Sequence, residues 1–256
     1  MFFLYALLFI LGTAVGSFLN VVVDRTTKSE SVLFGRSYCD HCHAKLSSFD
    51  LIPIVSFVVL GARCRKCGGR ISWQYPLVEG LTGLLFVLSF WVLSLSGQFS
   101  LVTLSYYLFI VSTLVVVATV DLKFYLIPTT LVFAASFVAL FYNYFHLTST
   151  DFVLYVFISF GLAMGFLLLL VATRGRGIGG GDVPLAFLIG LVLGWPNAIA
   201  AIFLAFFVGA VVSLLLVAFG KKSIKATIPF GPFLVFATIA VLFWGSTMIS
   251  WYFSLL

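Results

Sequence analysis

This chain reads as an all-α protein that crosses a membrane about eight times, with a small cysteine-bearing module between its first and second spans. Three observations support that expectation. The 256 residues are 62% hydrophobic and only 9% charged, with a mean hydropathy of +1.22, well above the apolar share of soluble domains. The apolar residues fall in runs long enough to cross a hydrocarbon core of about 30 Å. The one sizeable polar stretch, 24–76, holds all four cysteines. A soluble fold is excluded, because too little polar surface exists to cover such a core.

The first run, 2–23, has no Lys or Arg ahead of it, whereas Arg25 and Lys28 follow it. That order indicates an uncleaved anchor with its N-terminus outside rather than a cleaved signal peptide. Inside 24–76, the apolar piece 51–60 contains Pro53 and is too short to span, so a buried or interfacial element is expected there. Spans follow at 77–95 and 101–120, then at 126–145 with Pro128 near its start, where proline is tolerated. The run 152–173 leads to a glycine-rich loop. Next come 183–194 as a short or tilted helix, a turn at Trp195-Pro196-Asn197, and spans at 198–219 and 231–253. The chain divides on this basis into a first helix (1–23), a four-cysteine module (24–76) and a membrane-embedded remainder (77–256) of about seven helices.

Alternating sides from an outside N-terminus puts all fourteen Lys and Arg residues on the inner side. Eight lie in 24–76, and the others are Lys123, Arg174, Arg176, Lys221, Lys222 and Lys225. The outer loops carry only Asp151. This is the positive-inside pattern, and it supports the span count, since losing one crossing would scatter the charges. The net charge of +6 is therefore a topology signal. Contact with anionic lipid is secondary, and nucleic acid is not implied.

Chemistry concentrates at two aspartates. Gly175, Gly177, Gly179, Gly180 and Gly181 are packed ahead of Asp182. Each would cost a helix about 1 kcal/mol relative to Ala, so the stretch is a loop. Glycines there permit positive φ and a close approach by another chain segment. Asp182 stands where the loop enters the membrane, and an ionisable group at such a depth marks a functional site. Asp121 ends the run before it in the same way, and Glu79 also stands at the inner end of a span. Two carboxylates in hydrogen-bond reach cannot both ionise easily, so such a pair holds one proton near neutrality. The ionised member can activate a water and the protonated one can polarise a peptide carbonyl. The titration belongs to the pair, so neither role goes to a named residue. The plainer alternatives are an interfacial residue or helix cap for each Asp, and an interfacial charge for Glu79. A phosphate-binding loop is disfavoured because no Gly-Lys-Ser/Thr follows the glycines.

The cysteines run Cys39-x2-Cys42, then 21 residues, then Cys64-x2-Cys67. Two such pairs present four thiolates to one tetrahedral ion, as in a zinc ribbon, and Gly68-Gly69 suits the tight second knuckle. The charge pattern puts them in a reducing compartment, which disfavours disulfides. A structural zinc is expected, ahead of a redox pair or plain thiols. His41 and His43 are alternative ligands, but four thiolates already close a structural site.

Together these stretches resemble the type IV prepilin peptidases, bacterial membrane aspartyl proteases of the Gly-x-Gly-Asp type. The resemblance rests on Gly16-Ser17-Phe18-Leu19-Asn20-Val21-Val22, the double Cys-x2-Cys, Asp50-Leu51-Ile52-Pro53 and Tyr75-Pro76-Leu77-Val78-Glu79. It continues through Asp121 with Ile127-Pro128, Gly179-Gly180-Gly181-Asp182 and Pro229-Phe230-Gly231-Pro232, and so covers nearly the whole chain. It implies a multi-pass enzyme of the bacterial inner membrane. Its termini would be outside, with its cysteine module and active site on the cytoplasmic side. It also implies removal of a short basic leader from prepilins or pseudopilins, just after a Gly and before the apolar stem. Asp121 and Asp182 match the catalytic positions, Gly179, Gly180 and Gly181 form the active-site loop, and Glu79, Lys123 and Pro128 are supporting candidates. The cysteine module goes with members that also N-methylate the new terminus using S-adenosyl-L-methionine. Departures occur at Thr129, Asp40, Pro184 and Gln74, where the family often has Asp, Pro, Lys and Arg. None touches the aspartates or cysteines, so they bear on substrate preference and methylation more than on proteolysis.

Three other readings remain: a peptidase without methylation, a transporter with a zinc ribbon, and a binding-only assembly protein. A transporter with paired, broken halves would show a glycine break near Asp121 to match the one near Asp182, and none is present.

Overall fold

A computed structural model describes residues 2–26, 31, 35–175, 178–220 and 228–254. Lys28, Arg176, Gly177, Lys221, Lys222 and Lys225, used above in the charge and glycine readings, lie outside the described residues. The helices are α1 (Phe2–Thr26), α2 (Val55–Val59), α3 (Gln74–Leu95), α4 (Leu101–Phe124) and α5 (Thr129–His146). They continue with α6 (Ser149–Ala172), α7 (Asp182–Leu193), α8 (Asn197–Ala218) and α9 (Gly231–Ser254). Among the described residues the only β-pairing is two isolated bridges, Tyr38 with Lys45 and Arg63 with Arg70.

Among the described residues, six helices (α1, α3, α4, α6, α8 and α9) are long and apolar enough to cross a membrane. The protein is thus a multi-pass membrane protein. The other two elements expected as spans are shorter. Helix α5 has 18 residues, about 27 Å at 1.5 Å per residue. Helix α7 has 12, about 18 Å, which is too short to span a bilayer alone. The count of eight is therefore approximate. Two boundaries also move. Helix α3 begins at Gln74, so Tyr75 and Pro76 belong to its first turn, where proline removes no intrahelical bond. Helix α4 runs to Phe124, so Asp121 lies inside its last turn rather than after its end. The apolar piece 51–60 forms a 3-10 turn, Ser48–Leu51, and α2. Of its large apolar residues only Phe57 is buried, while Val55, Val58 and Val59 are exposed, so it is not a core element.

The chain divides into two compact units, Met1–Thr119 and Val120–Leu256. In the first, α1 packs along α3. Gly12 and Gly16, one turn apart, make the approach close. A Cβ on Gly12 would stand 2.7 Å from Gly83 Cα, and one on Gly16 2.7 Å from Glu79 Cα. Small residues four apart are what lets two membrane helices pack backbone to backbone, since lipid gives no hydrophobic drive for them to associate. Asn20 then ties the helices together, its Nδ2 donating to the Tyr75 carbonyl at 3.2 Å. Leu8, Phe90, Leu93 and Leu104 form a buried cluster in the same unit.

In the second unit α7 is central, packing against α5, α6, α8 and α9. It is apolar all round, which is how a helix enclosed by others reads; Leu185, Ala186, Leu188, Ile189 and Leu191 are all buried. Gly190 lets α6 in, since a Cβ there would lie 2.5 Å from Ser159 Cα. Asn143 of α5 donates to the Leu191 carbonyl at 2.8 Å. Outward, Phe157 of α6 and Phe203 of α8 are more than 70% exposed, as lipid-facing residues should be.

Candidate active site

Asp121 is placed by the end of one helix and the start of another. Its Oδ2 accepts the Gly231 N–H at 2.9 Å, and Gly231 is the first residue of α9. The first N–H groups of a helix have no intrahelical acceptor and carry the positive end of its dipole, so a carboxylate there satisfies both. A larger residue would push the carboxylate aside, because a Cβ on Gly231 would fall 2.5 Å from Asp121 Oδ2. Phe230, just before it, packs against Phe206 of α8 and Phe166 of α6, with ring centroids 4.9 and 6.4 Å away.

Asp182 opens α7. Its Oδ2 accepts the Gly179 N–H at 2.8 Å, and its own N–H donates to the Gly179 carbonyl at 3.1 Å. The loop is thereby closed on its own carboxylate. Positive φ is found at Gly175 but not at Gly179, Gly180 or Gly181, which corrects the expectation for those three. What glycine supplies at 181 is clearance, since a Cβ there would fall 2.6 Å from Ile127 Cβ. Ile127 belongs to the link between α4 and α5, so this contact joins the segment after Asp121 to the segment before Asp182.

Both carboxylates are buried, Asp121 at 6% exposure and Asp182 at 4%. Both belong to the second compact unit. Among the described residues each is held on Oδ2 by one backbone N–H, and no Lys or Arg pairs with either. Of the supporting candidates, Pro128 is buried beside Ile127, and its carbonyl accepts the Leu131 and Val132 N–H groups at the start of α5. Lys123 is exposed, its Nζ 5.2 Å from the Phe124 ring centroid. Glu79 belongs to the first unit. It is only 7% exposed, and its Oε2 accepts the Ile54 N–H at 2.7 Å. It is a buried, bonded carboxylate rather than a plain interfacial charge. Gly231 and Ile127 were part of the quoted motifs, but nothing in their spacing says which residue they touch.

The four cysteines converge, with all their sulfurs within 4.8 Å of one another and Cys39 and Cys67 at 3.9 Å. Thiolates 2.3 Å from a tetrahedral zinc stand about 3.8 Å apart, so the set fits such an ion. The two knuckles repeat one backbone pattern. Cys39 N–H donates to the Ala44 carbonyl and His43 N–H to the Cys39 carbonyl; Cys64 donates to Gly69, and Gly68 to Cys64, in the same way. The fifth residue of each knuckle is left-handed, His43 at φ 52 and Gly68 at φ 70. His43 therefore has a turn position, its ring tilted against that of Tyr38 with centroids 5.6 Å apart. His41 packs over Gly69, and neither joins the sulfur group. Backbone N–H groups of Cys67 and Lys66 bring the Cys64 thiol down to about 6. Cys67 takes the Gly69 N–H, yet its neighbouring thiols raise it to about 11. A bound divalent cation would relieve that crowding of thiols.

Two family models match the chain: the Bacterial Peptidase A24 N-terminal domain over residues 10–93 and the Type IV leader peptidase family over residues 108–214. A prepilin leader peptidase/N-methyltransferase of Bacillus subtilis (strain 168) is 34% identical, over 96% of this chain and 97% of its own length. The chain belongs to the type IV leader peptidase family. Proteins of the same description from Pseudomonas aeruginosa and Legionella pneumophila are 30% and 28% identical, over 92% and 98% of this chain and 89% and 94% of their own lengths. No solved structure matches the chain. The second family match contains both Asp121 and Asp182, and the first contains all four cysteines and Glu79.

Proposed function

We propose that this chain removes the basic leader from prepilins or pseudopilins by a two-aspartate hydrolysis, and N-methylates the terminus it exposes. It would work in the bacterial inner membrane with its termini outside and its cysteine module and both aspartates on the cytoplasmic side, as the placement of basic residues supports. Residues 1–23 then serve as anchor, 24–76 as cysteine module and 77–256 as the peptidase part.

The observation that carries the peptidase reading is the pair itself: two buried aspartates in one unit, with no cation partner among the described residues. Each is fixed through Oδ2, which leaves Oδ1 for a reacting water and the scissile carbonyl. The ionised member takes a proton from the water as it attacks. The protonated member donates to the carbonyl oxygen that becomes the oxyanion. The proton taken from water then goes to the leaving amine. Gly179 and Gly180 carry no side chain over this place, which gives an extended substrate segment room to lie against Asp182.

The methylation half is supported by the relatives, which are described as prepilin leader peptidase/N-methyltransferases. S-adenosyl-L-methionine would supply a methyl group already activated as a sulfonium. Zinc would sit on Cys39, Cys42, Cys64 and Cys67 and join the two knuckles as a structural cross-link.

Co-expression with a prepilin, following leader loss by gel shift, tests the peptidase. Asp121→Asn and Asp182→Asn keep size and remove the titrating proton. Each is expected to abolish cleavage at normal membrane level. Cleavage that survives either change would sink the two-aspartate reading and favour a binding or transport role.

A further inference from the structure

Among the described residues nothing covers the outer side of the 51–60 piece, although that side is apolar and the piece is firmly held. Val58 is 70% exposed, and Trp73, which follows the second knuckle, is 68% exposed. Val55 and Val59 edge a cavity of about 990 Å³, in which the Tyr75 hydroxyl reaches Asp24 and Asp40. Val58 and Trp73 stand outside that cavity. Trp73 instead heads the exposed stripe of Leu77, Leu81 and Leu84 on α3, each about one turn from the next.

Contacts with α3 set the depth of the piece. The Ile54 N–H donates to Glu79 Oε2 at 2.7 Å, and Ile54 Cδ1 is 3.8 Å from where a Cβ on Gly80 would stand. Gly80 is the seventh residue of α3, about 9 Å along the helix from its start at 1.5 Å per residue. The 22 residues of α3 measure about 33 Å, little more than a hydrocarbon core of about 30 Å. The start of α3 is thus at the lipid boundary, and Ile54 lies well inside it. Interfacial helices bury their apolar faces about 5–10 Å into that boundary. Val58 is one turn along α2 from Ile54. The hold on Ile54 is tight. Its φ is 62, and the next N–H, of Val55, donates back to the Pro53 carbonyl. A γ-turn of that hand is strained on a β-branched residue and persists only where its surroundings fix it. Here Glu79 and Gly80 do so.

A segment at such depth must satisfy its own backbone. The N–H groups of Ile54, Val55, Ser56, Val58, Leu60 and Ala62 all have acceptors, and Pro53 has no N–H to satisfy. Charge gathers just beyond the piece. Arg63 and Arg70, both exposed, face each other across an antiparallel bridge, where like charges repel. Neither has an acidic partner among the described residues. An anion would relieve the pair, and guanidinium groups match phosphate oxygens two at a time. Arg63 follows Leu60 by three residues and Arg70 precedes Gln74 by four, which keeps both within reach of lipid headgroups.

From this geometry we infer that the 51–60 piece is a membrane wedge. Val58 and Trp73 sit among the acyl chains of the leaflet on the module's side, and Arg63 and Arg70 hold phosphates of anionic lipids. The cysteine module is thereby docked on lipid at a set height. Lipid is the occupant because the uncovered face continues the exposed stripe of a spanning helix at the same depth. The inference needs α3 to span the membrane, and neither proteolysis nor methylation.

The test uses the full chain in nanodiscs of phosphatidylethanolamine and phosphatidylglycerol. A spin label is carried on p-acetylphenylalanine, which spares the cysteines. With Val58→p-acetylphenylalanine, oxygen should relax the label more than a water-soluble nickel chelate does, as it should for the same label at Leu81. The label at Lys66 should show the reverse order. The label at Trp73 repeats the measurement if that at 58 lowers the melting temperature. A label at 58 that behaves as at 66 would put the piece in water and overturn the wedge. An immobilised label shielded from both reagents would mean that protein, a second copy or a substrate stem, covers the face, and would overturn it too. Native mass spectrometry from mild detergent should find at least one phosphatidylglycerol fewer per chain when Arg63→Gln and Arg70→Gln are combined. Equal retention at an unchanged melting temperature would overturn the headgroup contact.

Discussion

At residue scale the decisive contact is the Gly231 N–H on Asp121, between residues 110 apart in sequence. Gly231→Ala would put a methyl group at 2.5 Å from the carboxylate oxygen, so the carboxylate must swing away. A displacement near 1 Å in a catalytic group costs about 100-fold in rate, and initial rates of leader cleavage in detergent should fall by about that factor while the chain stays folded. A rate unchanged by Gly231→Ala would mean that Asp121 is not positioned this way. Two carboxylates sharing one proton also predict a bell-shaped pH profile for cleavage, rising as the first ionises and falling as the second does. A profile with one limb would point to a single working acid. The glycine loop and both aspartates were legible in the sequence, because an acid at a span end is costly wherever it stands. Gly231 as the partner of Asp121 was not, since a backbone donor has no signature of its own.

At the scale of elements, two helix contacts bear the packing. Gly16→Ala would drive a Cβ into the α3 backbone at Glu79, and overpacking of that kind costs about 1–3 kcal/mol. Thermal unfolding in detergent should show that loss. Asn143→Ala would leave the Leu191 carbonyl without its donor in the interior of the second unit, at a cost of about 1–3 kcal/mol. Asn143→Ala matching wild-type stability would show that water replaces the amide. Span positions were legible because long apolar runs need only composition. The shortness of α7 was legible as well, from the glycines before it and the Trp195-Pro196 turn after it. Its central place was not, because a helix apolar on every side carries no periodicity that names a buried face.

At the scale of the whole molecule, the four-thiol module and the membrane part differ in what holds them together. The module has little apolar core of its own; beside Cys64, Phe57 is its one buried hydrophobic residue among the described positions. Its order should therefore depend on metal. Metal analysis should find about one zinc per chain. Chelation should open 36–72 to proteolysis while the membrane helices stay protected, and a metal-free chain with the wild-type digestion pattern would remove the structural role. By itself the sequence determined the class of fold, the approximate number of crossings, the four metal-fit thiols and two aspartates at the ends of apolar runs. Each of these is a property of composition or spacing along one dimension, set by bilayer thickness and by the cost of charge in lipid. Only the tertiary structure decided which backbone N–H holds each aspartate, that Ile127 seats against Gly181, and that Asp24 and Asp40 meet at Tyr75 beside a cavity. Those are meetings of residues distant in the chain. Among helices equally apolar on all sides, they are set by small-residue clearance and buried hydrogen bonds rather than by any hydrophobic pattern.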